Sequence, residues 1–247
     1  MLTAAQIAEL KQFDTPTVSN AIEFFDVRPR TAGFMRPGLR KVFENGRRTV
    51  GYAVTATLSA TTPPTEAQKP LAAQYYASVK AAPKPTVTVL QDRDREPTGS
   101  FWGEVQVSIH RSLGCVGVIT NGGVRDLDEV QGLDFEYFAS CLLVSHAYVH
   151  LEAVGCPVEV GGLTVHPGDL LHADIHGVVV IPAVVAPHLA DACRAAQEAE
   201  TPVIGNCRKH FAAGDVDVAQ LATWRAEMLA RRGKALEKFS ALASSQR

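Results

Sequence analysis

Excess charge of either sign is missing from this chain of 247 residues, in which 24 lysines and arginines face 26 aspartates and glutamates for a net charge of -2. Without a basic excess there is no electrostatic footprint for nucleic acid or for an anionic membrane. Long apolar runs are missing too: none approaches the ~20 residues of a bilayer span. The opening stretch MLTAAQIAELKQFD has no apolar core of the signal-peptide kind, so the expected location is the cytoplasm. Cysteine is sparse. Cys115, Cys141, Cys156, Cys193 and Cys207 are odd in number and form no CxxC pair, which argues against a disulfide framework and against a zinc site. Cys115 and Cys141 stand in apolar runs, where a buried reduced thiol is expected rather than a nucleophile. The P-loop, the dinucleotide-binding GxGxxG, the GxSxG elbow and the HExxH helix are all absent.

What is present suits a soluble globular chain: 46% hydrophobic and 20% charged residues, with a length between one and two domains. Thr3 and Gln6 occupy capping-box positions for a helix from Thr3 to about Leu10. Thr15 precedes a first-turn proline for a second helix, Pro16 to Phe25. After an irregular passage from Arg28 to Gly38, Thr49–Ser59 has the β-branched content of a strand. A helix over Leu71–Ala81 and a strand over Thr86–Leu90 follow. The charges between Gln91 and Gly99 are expected in a solvated loop.

Phe101–Leu113 is expected to be helical, with Trp102, Val105, Ile109 and Leu113 on its apolar side and Gly114 as its stop. A strand over Val116–Thr120, a turn at Asn121-Gly122-Gly123 and a helix from Asp126 to about Gln131 complete a strand-helix rhythm typical of an α/β layered domain. Short strands are expected over Cys141–Ser145, Val158–Val160, Leu163–Val165, Leu170–Asp174 and Val178–Ile181. From Val184 the composition becomes rich in Ala, Glu, Arg and Leu, which predicts two or three helices, the last from about Val216 to Leu242. Its apolar positions Leu221, Trp224, Met228 and Leu229 have helical spacing, for packing on this chain or on a neighbouring subunit.

The stretch FWGEVQVSIHRSLGCVGVITNGGVRDL, residues Phe101 to Leu127, holds polar residues where packing alone would not ask for them. Twenty residues separate Glu104 from the consecutive pair Arg125 and Asp126. If the helix packs beside the strand, two carboxylates and a guanidinium converge on one concave site, which suits a divalent cation and a small carboxylated substrate. Each residue also has a plain structural use: Asp126 and Glu129 match a helix cap and its reciprocal partner, Glu104 suits a helix start, and Arg125 could be an ordinary ion-pair partner. His172, Asp174 and His176 would alternate onto one strand face and could hold zinc or iron, although Gly177 breaks that run. His146 and His150 belong to no recognisable ligand motif.

This pattern of an acidic residue, twenty spacers and Arg-Asp resembles the RraA-like family, whose catalytic branch contains the 4-hydroxy-4-methyl-2-oxoglutarate / 4-carboxy-4-hydroxy-2-oxoadipate aldolases. The block from Pro157 to Asp169, with its turn glycines and PGD turn, and its continuation from Asp174 to Pro182 support the same resemblance. In that family the acidic position is more familiar as Asp after Gly, where this chain has Gly103-Glu104. The resemblance implies a layered β/β/α sandwich of the swivelling-domain type over 1–247, with 184–247 a helical C-terminal extension, assembled as a homotrimer or a hexamer.

It further implies a pyruvate-releasing lyase dependent on Mg²⁺ or Mn²⁺ and acting on a small 2-oxo acid. Asp126 is then the metal ligand, Arg125 and Glu104 are catalytic, and Gly103, Glu104, Val105, Gln106 and Arg125 line the substrate pocket. Oxaloacetate decarboxylation passes through the same enolate. The family also includes a protein that binds and inhibits a ribonuclease, so a regulator acting through protein contacts is the alternative.

Overall fold

The structure, a computed structural model, describes residues 1–245. The chain forms two compact units, one over Gly33–Ile181 with Met1, the other over Leu2–Ala32 with the chain from Pro182 onward.

The second unit is helical. Helix α1 (Ala4–Leu10) carries the expected capping box, with Thr3 and Gln6 each satisfying the other's backbone N–H. Helix α2 (Thr15–Ile22) begins one residue earlier than expected, because Asp14 rather than Thr15 accepts the Thr17 N–H as the cap. A short 3-10 turn, Glu23–Phe25, ends at Asp26 in the left-handed region. Near the other end of the chain, α6 (Leu189–Lys209) runs through Pro202. Proline cannot donate to the carbonyl four residues back, and Arg231 Nη1 bonds Glu198 O instead, at 3.1 Å. That arginine belongs to α7 (Val218–Ser244), which Asp217 caps. Helix α7 is held at Phe239, whose ring meets Phe24 and Phe25 at centroid distances of 6.4 and 5.2 Å. Its buried residues are Ala235, Phe239 and Ala243. The expected stripe lies further up the helix, with Leu221, Trp224 and Met228 half-buried and Leu229 exposed.

The first unit is a layered α/β sandwich. Strand β1 (Arg40–Lys41) is short, and β2 (Thr49–Ser59) is the long central strand that the β-branched run predicts. There follow α3 (Leu71–Ala81), β3 (Thr86–Asp92), α4 (Glu104–Ser112), β4 (Cys115–Val124), α5 (Leu127–Gln131) and β5 (Glu136–Leu142). Strands β2 to β5 pair in parallel with their neighbours, as helical crossovers between them require. Strand β1 adds to β5 antiparallel. The remaining strands are β6 (His150–Val154), β7 (Val158–Val160), β8 (Leu163–Val165), β9 (Leu170–Asp174) and β10 (Gly177–Ile181). Strand β9 pairs with the first half of β2 and β6 with the second half, while β10 closes on β9 and β7 forms a separate hairpin with β8.

Both faces of this sheet are covered, and successive side chains enter different cores. Leu90, Val118 and Tyr137 join Tyr75, Val79 and Val107 under the helices, whereas Val89, Ile119 and Phe138 meet Val158, Val160 and Val165 of the hairpin. This is the period-two rule with both faces buried. The α/β class and the C-terminal helices are as the sequence predicts.

Four local expectations are corrected. Asn121-Gly122-Gly123 is no turn: β4 runs through it, with one extra residue between the pairs Thr120↔Ala139 and Gly123↔Cys141. Across this bulge the Asn121 side chain takes over the ladder, its Oδ1 accepting from Asp92 N at 2.7 Å and its Nδ2 donating to Asp92 O at 2.8 Å. The strand expected over Cys141–Ser145 is instead β5, ending at Leu142. Helix α4 buries Val107 and His110 and leaves Val105 71% exposed, because the His110 ring packs against Tyr75 and Trp102, at centroid distances of 5.4 and 4.5 Å, and turns that side of the helix inward. Asp92, expected in a solvated loop, ends β3 inside the molecule at 3% exposure.

Asp92 Oδ1 accepts from Asp94 N at 3.0 Å, while its Oδ2 has no protein partner among the described residues. Burial, with smaller contributions from Asp94 and Glu152, pushes this carboxyl up to about 6. The unfolded value is ~3.9, so the folded protein holds this proton more tightly. The resulting stability is full below about pH 4 and lost as pH rises through 6. Asp92→Asn is therefore expected to stabilise the protein by about 3 kcal/mol at pH 8 and scarcely at pH 4. Urea unfolding of both proteins at the two pH values measures this, and equal shifts at both would sink it.

Candidate functional site

The site forms where β4 ends, at the carboxyl end of parallel strands, as is usual in open α/β sheets. Trp102, just before α4, makes a parallel bridge with Val124, the last residue of β4. Arg125 N then donates to Trp102 O at 3.0 Å, and Ser100 Oγ lies 2.8 Å from both Trp102 O and Gly123 O. The start of α4 is thereby laid against the end of β4. Residues twenty positions apart in sequence become neighbours.

Asp126 does not cap its own helix. It precedes α5 in the left-handed region, φ 57°, with no capping bond from its side chain, so the expected reciprocal box with Glu129 is absent. Its Oδ2 instead accepts the backbone N–H of Glu104 at 3.0 Å and thus caps α4, whose N-cap residue is Gly103. An anion is favoured there by the unpaired N–H groups and the helix dipole. Gly103 is glycine for lack of room: a Cβ would stand 2.3 Å from Asp126 Oδ2 and 3.2 Å from Arg125 Nε.

Arg125 is two-thirds covered, its Nε 3.7 Å from Asp126 Oδ1 and its Nη1 bonded to Val144 O at 3.3 Å. These residues open on a cavity of about 460 Å³ lined by Gly103, Val105, Gln106, Arg125 and Asp126, within the ~300–1,000 Å³ usual for small-ligand sites. Glu104 heads the same helix with an exposed side chain, and its backbone N–H makes the contact with Asp126.

The rest of the wall was not legible in sequence. Lys69 and Tyr76 come from α3 and the loop before it, and His146 and His150 from the segment after β5. Tyr76 Oη donates to Gln106 Oε1 at 2.9 Å. This leaves the Gln106 amide hydrogens free to donate. Beneath lies His110, its Nδ1 2.6 Å from Gln106 O and its Nε2 3.2 Å from Tyr75 Oη. Burial lowers its pKa to about 4, against the opposing bond to Gln106, so it supports α4 as a neutral ring. The HisxAspxHis pattern is not a cage: His172 and Asp174 are buried, and His176 lies beyond the strand with its Nδ1 3.0 Å from Asp174 Oδ1. Among the described residues no three His, Cys, Asp or Glu side chains gather as metal ligands, and all five cysteines are free thiols. No helix among the described residues is long and apolar enough to cross a membrane.

Comparison with known proteins bears on this geometry. The family described as "RraA-like: Aldolase/RraA" matches residues 15–180. A Halalkalibacterium halodurans protein named "Putative 4-hydroxy-4-methyl-2-oxoglutarate aldolase" is 27% identical over 113 residues, covering 45% of this chain and 51% of that protein. Protein DlpA of Legionella pneumophila is 28% identical over 113 residues, 45% of this chain and 18% of its own. The chain thus spans about half or less of the curated relatives it matches. Among solved structures, an uncharacterized protein from Pseudomonas syringae pv. tomato superposes with a TM-score of 0.67 at 23% identity, covering 91% of this chain and 94% of its own. Streptomyces coelicolor RraAS2, described as an unusual member of the RNase ES inhibitor RraA protein family, gives 0.63 at 23% identity over 81% and 94%. At such identities these structures establish a shared fold.

Gly103→Ala should cost about 1–3 kcal/mol by overpacking against Asp126, whereas Gly132→Ala, where an added Cβ meets nothing within 4 Å, should be nearly neutral. Thermal and denaturant unfolding of the two variants provide the check. A neutral Gly103→Ala would mean that the Asp126 contact does not restrict that position.

Proposed function

The chain belongs to the RraA-like family, and from that premise we propose that it is a divalent-metal-dependent lyase that cleaves 4-hydroxy-2-oxo acids by a retro-aldol reaction and releases pyruvate. Oxaloacetate decarboxylation is a second reaction open to the same site. The observation that carries the reading is the convergence of Arg125, Asp126 and the first turn of α4 on one cavity.

The donor set fits a hard dication. Asp126 offers a partly exposed carboxylate at the cavity wall, and Mg²⁺ or Mn²⁺ suits such an oxygen because Mg²⁺ keeps several waters and takes few protein carboxylates. Asp126 would hold the ion, with Glu104 at the adjoining helix start. When bound, the dication supplies Lewis-acid polarisation of the substrate's 2-oxo group.

The chain's own groups do the rest. Arg125 presents a planar fork that suits a carboxylate, and its charge opposes the negative charge that develops as the carbon–carbon bond opens. Its tether to Val144 O limits the positions that fork can take. Val105 and Gln106 head α4 with N–H groups that helix geometry leaves without intrahelical acceptors, and these can bind the substrate carboxylate. The Gln106 amide, oriented by Tyr76, adds a further donor. A homotrimer or hexamer belongs to the same proposal, and the exposed Val105, Leu142, Val144 and Tyr148 offer apolar surface for such contacts.

Pyruvate release from a panel of 4-hydroxy-2-oxo acids and oxaloacetate, with and without Mg²⁺ or Mn²⁺, tests the reading. Wild-type protein that binds no dication and releases no pyruvate would overturn it in favour of a regulator acting through protein contacts. Asp126→Asn should abolish metal-dependent turnover and keep the fold, since Asn can still accept the Glu104 N–H but lacks the anionic charge. Arg125→Lys should cost ~2–4 kcal/mol of transition-state stabilisation, read from kcat/KM. Glu104→Gln should lower activity ~10–100-fold with little change in thermal stability if its carboxylate supports the ion.

A further inference from the structure

His146 and His150 line the same cavity as Arg125 and Asp126, and the proposed cleavage still needs a group to take the hydroxyl proton of the substrate. In each ring Nδ1 lies against a backbone carbonyl, Ala147 O at 2.7 Å for His146 and Tyr148 O at 2.9 Å for His150. A carbonyl oxygen only accepts, so the neutral ring carries its hydrogen on Nδ1 and its lone pair on Nε2. Both imidazoles are therefore set as bases.

They differ in how they are held. His150 opens β6 and pairs across from Ser59, so the ladder accounts for its place. His146 sits on a loop fixed from several sides: Val144 O accepts from Arg125 Nη1 at 3.3 Å, Ser145 O from Ser100 N at 2.9 Å, and Ser145 Oγ from Ala147 N at 2.9 Å. Tyr148 N donates to Ala60 O at 3.1 Å. Ala147 lies in the left-handed region at φ 45°, a conformation unfavourable for a non-glycine residue. At Gly99 a Cβ would stand 2.4 Å from His146 O. Backbone strain held in place by its surroundings tends to mark a functional position, and here the strained loop shares Arg125 with the site.

We propose that His146 is the proton-transfer residue of this site, a proposal that rests on the lyase reading above. Nε2 takes the proton of the C4 hydroxyl as the C3–C4 bond breaks. C4 becomes a carbonyl, and the electron pair of the broken bond passes to C3 in conjugation with the 2-oxo group, giving the pyruvate enolate. The imidazolium then returns its proton to C3, which yields pyruvate and restores the neutral ring, so that no further reactant is consumed. Oxaloacetate has no hydroxyl proton to lose. Its decarboxylation gives carbon dioxide and the same enolate, which solvent can protonate.

The test compares wild type, His146→Ala, His146→Gln and His150→Ala in full-length protein with Mg²⁺, on 4-hydroxy-4-methyl-2-oxoglutarate and on oxaloacetate. Both His146 variants should lose ~10²-fold or more in aldol kcat, the range of a general base, and less than about tenfold in decarboxylation. Added imidazole should restore part of the aldol rate of His146→Ala. Wild-type aldol rates in both His146 variants, equal losses on the two substrates, or a loss confined to His150→Ala would each overturn the assignment and leave the lyase reading standing. A wild-type protein inactive on both substrates would overturn the two together.

Discussion

The bond from the Glu104 N–H to Asp126 Oδ2, 3.0 Å long, is the contact on which the site depends. A carboxylate that its position in sequence would assign to α5 serves α4 instead. The exchange requires a left-handed backbone at Asp126, φ 57°, which Asp tolerates better than most residues. It also requires a bare Cα at Gly103. In return the start of one helix, the end of one strand and the Arg125 guanidinium share a single wall.

The layers beneath keep that wall in place. Ser100 Oγ lies between two carbonyls at the junction of α4 and β4, and buried His110 sits with its ring centroid 4.5 Å from that of Trp102. Because burial disfavours its charged form, this histidine packs as an aromatic ring with two polar contacts. Further along the sheet edge, Lys41 and Glu136 form a buried ion pair at 3.2 Å, with Asn45 bonded to both. Pairing of this kind avoids the cost of an isolated buried charge and joins β1 to β5. Lys41, Glu136 and His110 are thus covered supports, whereas Arg125 and Asp126 face the cavity.

Glycines at the bulge of β4 show how a sequence signal can be right in kind and wrong in place. Two adjacent glycines suggest a turn. The reason for them is tertiary: a Cβ at Gly122 would stand 2.8 Å from Asp92 Oδ2, and one at Gly123 would stand 2.5 Å from Leu143 Cγ. Nothing within ten residues of sequence announces either neighbour. The same holds for Asp92, which reads as one charge in a run of five and becomes a buried carboxyl once β3 extends past Leu90.

Local chemistry was enough for elements whose boundaries are set by their own residues. The Thr3 capping box, the β-branched run of β2, the Gly114 stop and the short strands between Val158 and Ile181 all follow from near-neighbour interactions. The spacing of Glu104, Arg125 and Asp126 is also visible in the sequence, and the fold sets the Glu104 N–H on Asp126 while Arg125 and Asp126, without the Glu104 side chain, line the cavity. Which helix Asp126 caps, which side of α4 is buried, and which residues complete the cavity from α3 and from the loop after β5 depend on contacts between segments far apart in the chain. Those were decided by parallel strand pairing and by close packing at Gly103, Gly122 and Gly123. A one-dimensional pattern records such constraints as glycines and charges but does not name the partners that make them necessary.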